Sequence, residues 1–239
     1  MRLAFLASLL AALIACAAPA RAGEPVDMAL VLVVDVSLSI DDGEYALEKR
    51  GYGAAFTDQR VIDAIRRGPL GAVAVTYVEF ARADQVRQVV GWTVIRDDAG
   101  ARDFAARIEQ APRSFRGPTA ISAGIDLAIQ LLVESSFETE RRVIDVSGDG
   151  TNNSGRTVTA ARDEALAAGI SINGLTIINN KPRFYNREHT QPPGGLSKWY
   201  KDNVVGGVGA FVLEVEDFES FGEAMTRKLI SEIALAKAE

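Results

Sequence analysis

The chain has 239 residues and carries 26 Lys and Arg against 32 Asp and Glu, which gives a net charge of −6. Its length suits one large domain or two small ones, and a hydrophobic content of 48% is typical of a globular protein and excludes a disordered one. The acidic balance argues against a nucleic-acid-binding surface. One Cys cannot form an internal disulfide and is too few for a cysteine-rich zinc site.

The first residues have the pattern of a secretory signal peptide. Arg2 gives a positive start, Leu3–Ala15 is almost purely apolar, and a small-residue motif ends at Ala22. The apolar run is too short to span a bilayer comfortably. We therefore expect residues 1–22 to be a signal peptide, residues 23–239 to be the mature domain, and the protein to be periplasmic or extracellular.

A second interpretation of the same segment stays open. Leu13-Ile14-Ala15-Cys16 resembles the lipobox of bacterial lipoproteins, in which the Cys becomes the lipidated first residue. In that case Cys16 would carry a lipid anchor and the domain would be tethered to a membrane. No second long apolar segment follows, so the sequence predicts no transmembrane helix.

The first half of the mature chain predicts a strand, a helix and two further strands. These elements are expected at Met28–Val36, Asp41–Gln59, Ala72–Phe80 and Gln85–Ile95. The first strand is a continuous apolar run, which is typical of a strand buried on both faces of a parallel sheet. Only four residues separate the last two strands, so we expect them to pair antiparallel.

The second half alternates helices and strands. Helices are expected at Asp97–Gln110, Thr119–Glu134, Thr157–Ala168, Leu196–Asn203 and Phe218–Lys237. Strands are expected at Arg141–Ser147, Ile170–Ile178 and Ala210–Val215, with a polar loop over residues 179–195. This alternation predicts one α/β domain with a doubly wound, mostly parallel sheet, helices on both faces and one antiparallel edge hairpin.

Polar side chains follow three of these segments. Asp35, Ser37 and Ser39 end the first strand, Thr119 begins a helix, and Asp149 follows a central strand. Ligands of open α/β sheets bind beyond the carboxyl ends of the strands, so we expect these side chains to meet there. Their all-oxygen donor set favours a hard cation, Mg²⁺ or alternatively Mn²⁺ or Ca²⁺, over zinc.

These five residues resemble the metal-ion-dependent adhesion site (MIDAS) of von Willebrand factor A domains. The resemblance consists of an Asp-x-Ser-x-Ser motif, a distant Thr and an Asp in a Ser-Gly-Asp-Gly turn. The wider pattern around Arg142–Gly150, Gly169–Leu175 and Val205–Phe211 is similar to an uncharacterised family of secreted bacterial A-like proteins, a domain of unknown function. The resemblance covers nearly the whole mature chain.

The resemblance implies a role for each of the five residues. Ser37, Ser39 and Thr119 would bind the cation directly, and Asp35 and Asp149 would bind it directly or through water. A carboxylate of a partner would complete the coordination. The implied function is a secreted, metal-dependent protein-binding module, not an enzyme, that captures an Asp or Glu side chain of a protein ligand.

Two other functions stay open. An Asp at the end of a first strand is also the nucleophile of Mg²⁺-dependent phosphoryl-transfer hydrolases, a role that would fall to Asp35. That chemistry usually needs a second carboxylate two residues later, where this chain has Ser37. The third possibility is a metal-free assembly domain, which would leave the five polar residues unexplained.

Residues near the motif have simpler interpretations. Arg113 and Arg116 are predicted to be solvated loop charges, with attraction of an acidic partner to the metal as the alternative for both. Asn152 is predicted to shape its turn, with a partner contact as the alternative.

Two further predictions concern nearby polar residues. Asp41 and Asp42 are predicted to cap a helix, with an adjacent calcium site as the alternative. His189, in a polar loop with no second His in the chain, is predicted to be exposed to solvent.

Overall fold

The computed structural model describes residues 23–178 and 187–235. The signal peptide and lipobox predictions for residues 1–22 therefore lie outside the described residues. Residues 179–186 of the predicted polar loop lie outside them as well. Within the described ranges, no helix is both long and apolar enough to cross a membrane.

A six-stranded sheet forms the centre of the fold. Its strands are β2 (Met28–Asp35), β3 (Val73–Phe80), β4 (Val86–Ile95), β6 (Arg142–Gly148), β7 (Ile170–Ile177) and β8 (Val212–Val215), in the spatial order β4-β3-β2-β6-β7-β8. Only the β3–β4 pair is antiparallel, and β4 lies at the edge. The predicted mostly parallel sheet and its antiparallel edge hairpin are confirmed.

A separate two-stranded pair lies beside this sheet. β1 (Glu24–Pro25) runs parallel to β5 (Phe137–Glu138), and the sequence analysis predicted neither strand. The backbone N–H of Val26 donates to Glu138 O at 3.1 Å, which carries the pairing to the residue after β1. The start of the described chain is therefore held close to the amino end of β2.

The helices of the described residues cover both faces of the sheet. They are α1 (Asp42–Thr57), α2 (Gln59–Arg66), α3 (Asp98–Gln110), α4 (Ile121–Val133), α5 (Val158–Ala167), α6 (Arg187–Thr190), α7 (Leu196–Asn203) and α8 (Phe221–Leu235). Alternate residues of β2 point to opposite faces, as the period of a strand requires. Leu30 and Leu32 pack with α1, α2, α3 and α8, whereas Val31 and Val33 pack with α4, α5 and α7.

Two helices of the described residues, α2 and the four-residue α6 in the predicted polar loop, were not expected from the sequence. Asp58 ends α1 and its side chain accepts a hydrogen bond from the backbone N–H of Arg60, so the chain starts a second helix immediately. Three of its residues, Val61, Ile62 and Ile65, are buried. Eight residues, half of them apolar, give too short a pattern to indicate a separate helix.

A buried ionic cluster fixes α8 against the sheet. Lys228 Nζ lies 2.5 Å from Asp145 Oδ1 of β6 and 2.6 Å from Glu232 Oε1, and all three side chains are fully buried. Asn173 of β7 donates to Glu232 Oε1 at 2.6 Å. Two carboxylates thus share one ammonium group, so the cation is needed to keep both of them in the core.

Replacing Lys228 with Met should therefore be costly. The variant leaves Asp145 and Glu232 without their cation, and we expect the free energy of unfolding to fall by about 3–5 kcal/mol in urea denaturation. Lys198→Met is the matched control, because Lys198 makes the same kind of pair with Asp202 on an exposed helix face, with side chains 63% and 51% exposed. It should cost less than about 1 kcal/mol. Equal losses in the two variants would contradict this account.

Candidate metal centre

The turn after β2 and the turn after β6 meet at the carboxyl edge of the sheet. Ser37 Oγ lies 3.0 Å from Ser39 Oγ, and Ser39 Oγ in turn donates a hydrogen bond to Asp149 Oδ1. Asp35, Ser37 and Asp149 are buried, and Ser39 is half-buried. Four of the five predicted ligands therefore lie in one cluster, in which each is linked to the next by a hydrogen bond.

The loop before α4 brings the fifth predicted ligand to the same edge. The backbone N–H of Leu38 donates to Gly117 O at 2.9 Å, which joins this loop to the turn after β2. Thr119 is held from the other side, because its N–H donates to Asn153 Oδ1 at 2.8 Å and its carbonyl accepts from Asn153 N at 2.8 Å. Thr119 is thereby held in a buried position where this loop meets the turn after β6.

Asp35 has an unsatisfied carboxylate oxygen. Its Oδ1 accepts from the backbone N–H of Ser37 at 2.8 Å, but its buried Oδ2 has no hydrogen-bond partner among the described residues. Burial, and next the charge of Asp149, raise the pKa of Asp35 from its usual 3.8 to about 7. A divalent cation would relieve both the repulsion and the missing contact, so the residues fit a metal.

Two glycines leave room beside these carboxylates. A Cβ at Gly148 would lie 2.8 Å from the hydroxyl oxygen of Tyr200 and 3.0 Å from Cβ of Asp35. A Cβ at Gly150 would lie 2.3 Å from Nε2 of His189. A side chain at either Gly148 or Gly150 would therefore displace neighbouring groups of the site.

The donor set is mostly neutral oxygen. Three hydroxyls and two carboxylates meet here, and the described residues contain no cluster of three His, Cys, Asp or Glu side chains that could hold a metal ion. Such a centre suits a hard divalent cation, and the few anionic ligands would leave much of its charge uncompensated. A bound cation of this kind would attract a further carboxylate from outside.

Arg113 fixes the turn after β2 in place. One of its terminal nitrogens, Nη2, donates to the carbonyls of Val36, Ser37 and Ile40 at 2.8, 2.8 and 2.9 Å. Its guanidinium also stacks over the ring of Tyr45, and its side chain is only 9% exposed. The prediction of a solvated loop charge is wrong for Arg113, because the turn offers it three backbone acceptors.

Arg116 and the acids at the start of α1 behave as predicted. Arg116 pairs with Asp42 and its side chain is 52% exposed at the rim of the site. Asp41 is the N-cap of α1, where its side chain and that of Glu44 form a reciprocal capping box. The helix-capping interpretation of Asp41 is thereby confirmed.

Asn152 is engaged within its own loop. Its Oδ1 accepts from the backbone N–H of Ser122 at 3.0 Å, and its Nδ2 donates to the carbonyls of Ser154 and Arg156, both at 3.1 Å. The prediction that Asn152 shapes the turn is confirmed. A contact between Asn152 and a partner stays a prediction, since its amide already has three partners inside the protein.

Two buried glutamates lie beneath the centre, and the sequence analysis assigned neither a clear role. Glu79 accepts from Tyr45 Oη at 2.7 Å and from the backbone N–H of Ser114 at 2.8 Å, which braces the loop that carries Arg113. Glu48 accepts from Ser147 Oγ at 3.0 Å, and burial raises the pKa of Glu48 well above its usual value. Glu48 shares a helix face with the buried Tyr45 and Tyr52, a spacing that could have identified it.

His189 is buried against the site, so the prediction that it is solvent-exposed is wrong. Its Nε2 lies 3.2 Å from Thr119 Oγ1, and its Nδ1 lies 3.1 Å from Thr151 Oγ1. Burial lowers the pKa of His189 below its usual 6.5, which keeps the ring neutral at pH 7. No periodicity surrounds His189 in the sequence, so nothing there indicated this contact.

Comparison with family models gives one match to this chain. The model described as "Protein of unknown function (DUF1194)" matches residues 25–237. A search of curated protein sequences found no match.

Solved structures with a similar fold include several von Willebrand A proteins. Proximal thread matrix protein 1 from the mussel byssus, in a structure with a zinc-occupied MIDAS motif, is 21% identical with a TM-score of 0.58, over 88% of this chain and 46% of that one. BatB from Bacteroides thetaiotaomicron is 17% identical with a TM-score of 0.56, over 89% and 100% of the two chains. The von Willebrand factor type A protein from Catenulispora acidiphila is 14% identical with a TM-score of 0.56, over 87% and 43%. The chain thus spans about half the length of the mussel protein, and these similarities show a shared fold.

Replacing Asp35 with Asn should stabilise the metal-free protein. The folded state holds a proton on Asp35 between the usual pKa of 3.8 and the raised value of about 7, so the contribution of Asp35 to stability falls as pH rises through that window. Asn keeps the acceptor for Ser37 and does not ionise. In chelator, we expect the variant to exceed wild type by about 4 kcal/mol near pH 8 and to equal it near pH 4.

The matched control for this measurement is Asp103→Asn, which removes an acid whose side chain is 65% exposed on α3. It should show no comparable gain near pH 8. A wild-type protein more stable than the Asp35 variant at that pH would contradict the account of a repulsive, unsatisfied carboxylate.

Proposed function

The chain belongs to the DUF1194 family and has the von Willebrand A fold, and on that premise we propose that it is a divalent-metal-dependent protein-binding module. Asp35, Ser37, Ser39, Thr119 and Asp149 would hold the cation, with Mg²⁺ as the first candidate and Mn²⁺ or Ca²⁺ as alternatives. The bound cation would supply a positive point charge that binds an acidic side chain of a protein partner.

One observation carries the proposal. Within the part of the chain that the structure describes, the buried Oδ2 of Asp35 has no hydrogen-bond partner, although the neighbouring Ser39 donates to Asp149. A buried carboxylate oxygen without a partner is costly, and a cation is the ligand that suits two neighbouring carboxylates. Turn formation and helix capping explain the backbone here but leave this oxygen unexplained.

Charge supports an acidic partner that is attracted locally. The chain as a whole carries a net charge of −6, which repels acidic proteins at long range. Arg116 is exposed at the rim of the site, but its charge is paired with that of Asp42. Attraction would therefore depend mainly on the cation, so binding should require the metal.

The first test is metal-dependent stabilisation. At a free Mg²⁺ or Mn²⁺ concentration of about 100 times Kd, binding to the folded state alone adds about 2.7 kcal/mol, which corresponds to a rise in Tm of roughly 5–10 °C for a chain of this size. Ser37→Ala removes one hydroxyl ligand and should reduce the rise strongly. Ser231→Ala, on the exposed side of α8, is the matched control and should keep it.

The partner is tested by affinity capture from the native periplasmic or extracellular fraction. We expect proteins that are retained by the wild type with Mg²⁺ to be lost both in chelator and with Ser37→Ala. An unchanged Tm with every divalent cation would overturn the metal site. A normal Tm rise with metal-independent capture would overturn only the role of the metal in partner binding.

Secretion is a further part of the proposal. Residues 1–22 would be the signal peptide and residues 23–239 the mature domain, placed in the periplasm or outside the cell. The positive start, the short apolar run and the small-residue motif before Gly23 support it.

Mass spectrometry of the protein purified from its native host tests this proposal. We expect a mature chain that begins at Gly23, since cleavage would follow Ala22. A chain that begins with an acylated Cys16 would instead establish the lipid-anchored form. Retention of Met1 would contradict both forms of processing.

A further inference from the structure

The single histidine of the chain, His189, contacts the predicted metal ligand Thr119. His189 is 9% exposed, and its Nε2 lies 3.2 Å from Thr119 Oγ1. Its own carbonyl accepts from the backbone N–H of Thr151 at 2.9 Å, which ties α6 to the turn after β6. A Cβ at Gly150 would touch the imidazole, so the ring lies directly against the Gly-Asp-Gly turn.

The neighbours of the ring determine which nitrogen carries the proton. Asn153 Oδ1 accepts from the N–H of Thr119, so the amide of Asn153 turns its Nδ2, a donor, toward His189 Nδ1 at 3.3 Å. Thr151 Oγ1 lies 3.1 Å from the same nitrogen, and its hydroxyl can either donate or accept. The amide Nδ2 of Asn153 can only donate, so it favours a lone pair on Nδ1, and a neutral imidazole then carries its hydrogen on Nε2. The Nε2–H group is thus directed at the hydroxyl oxygen of Thr119.

We propose that His189 is a positioning residue of the metal centre, which donates from Nε2 to Thr119 Oγ1 and fixes the direction in which that oxygen presents its free lone pair. The proposal rests on the metal site proposed above. A hydroxyl oxygen has two lone pairs, and the imidazole would occupy one of them. The other is left for the cation, and the hydroxyl no longer rotates among alternatives when the cation arrives.

This role keeps imidazole out of the coordination shell. A nitrogen that bears hydrogen has no lone pair for a cation, so His189 would not itself be a ligand in this tautomer. The donor set then stays entirely oxygen and keeps its preference for hard cations. In the alternative, Nε2 loses its hydrogen and binds the cation, and Nδ1–H donates to Thr151 Oγ1 while it also faces the amide donor of Asn153.

NMR spectroscopy tests the hydrogen bond directly. Because the chain contains one His, the ring nitrogens of a tag-free, ¹⁵N-labelled protein belong to one residue. We expect Nε2 to be the protonated nitrogen in chelator and to remain so in saturating Mg²⁺. A hydrogen on Nδ1 in chelator, or Nε2 bound to the cation, would overturn the proposal.

Two substitutions separate hydrogen bonding from packing. His189→Phe keeps a buried ring and removes the donor, whereas His189→Gln loses the ring and can place an amide donor near the position of Nε2. We expect the Phe variant to bind Mg²⁺ about 10-fold more weakly in isothermal titration calorimetry, and the Gln variant to stay within about threefold of wild type. A role in packing alone predicts the reverse order.

The outcome also distinguishes this inference from the proposed function. Wild-type affinity in the Phe variant would overturn the role of His189 and leave the metal site intact. A wild type that binds no divalent cation would overturn the metal site and with it the role of His189. Circular dichroism melting of each variant in chelator shows whether the fold is retained, and the NMR measurement needs no variant.

Discussion

Two carboxylates buried at the ends of neighbouring strands are the constraint on which this end of the molecule depends. Asp35 and Asp149 are both fully buried, and burial together with the charge of Asp149 raises the pKa of Asp35. Keeping them together costs stability unless something positive lies between them. The parallel sheet imposes this meeting, because β2 and β6 pair directly and end at the same edge.

The surrounding structure holds this arrangement rigidly. Arg113 donates hydrogen bonds to three backbone carbonyls of the turn after β2. Glu79 accepts from the backbone of Ser114 and so holds the loop that carries Arg113. The turn after β6 is fastened to the loop before α4 through Asn152 and Asn153. Side chains that are fixed before a ligand arrives lose little freedom when it binds, so this rigidity would favour binding of the proposed cation.

The predictable parts of this protein are those with a local pattern. Periodicity predicted every strand of the six-stranded sheet, and the strand-end rule predicted where Asp35 and Asp149 meet. The role of Arg113 was not predictable, because its acceptors are backbone carbonyls that every residue has. The contact of His189 was not predictable either, since it joins residues 70 positions apart through a loop without periodicity.

The pairing of β1 with β5 places the start of the described chain at the end of the sheet opposite the candidate metal centre. β1 lies just before the amino end of β2, and the candidate metal centre follows the carboxyl end of this eight-residue strand. At about 3.3 Å per residue, these ends are roughly 23 Å apart. Whatever precedes Gly23 therefore joins the domain at the pole opposite Asp35. A surface or tether attached at that pole would leave the carboxyl edge of the sheet pointing outward, open to an approaching partner.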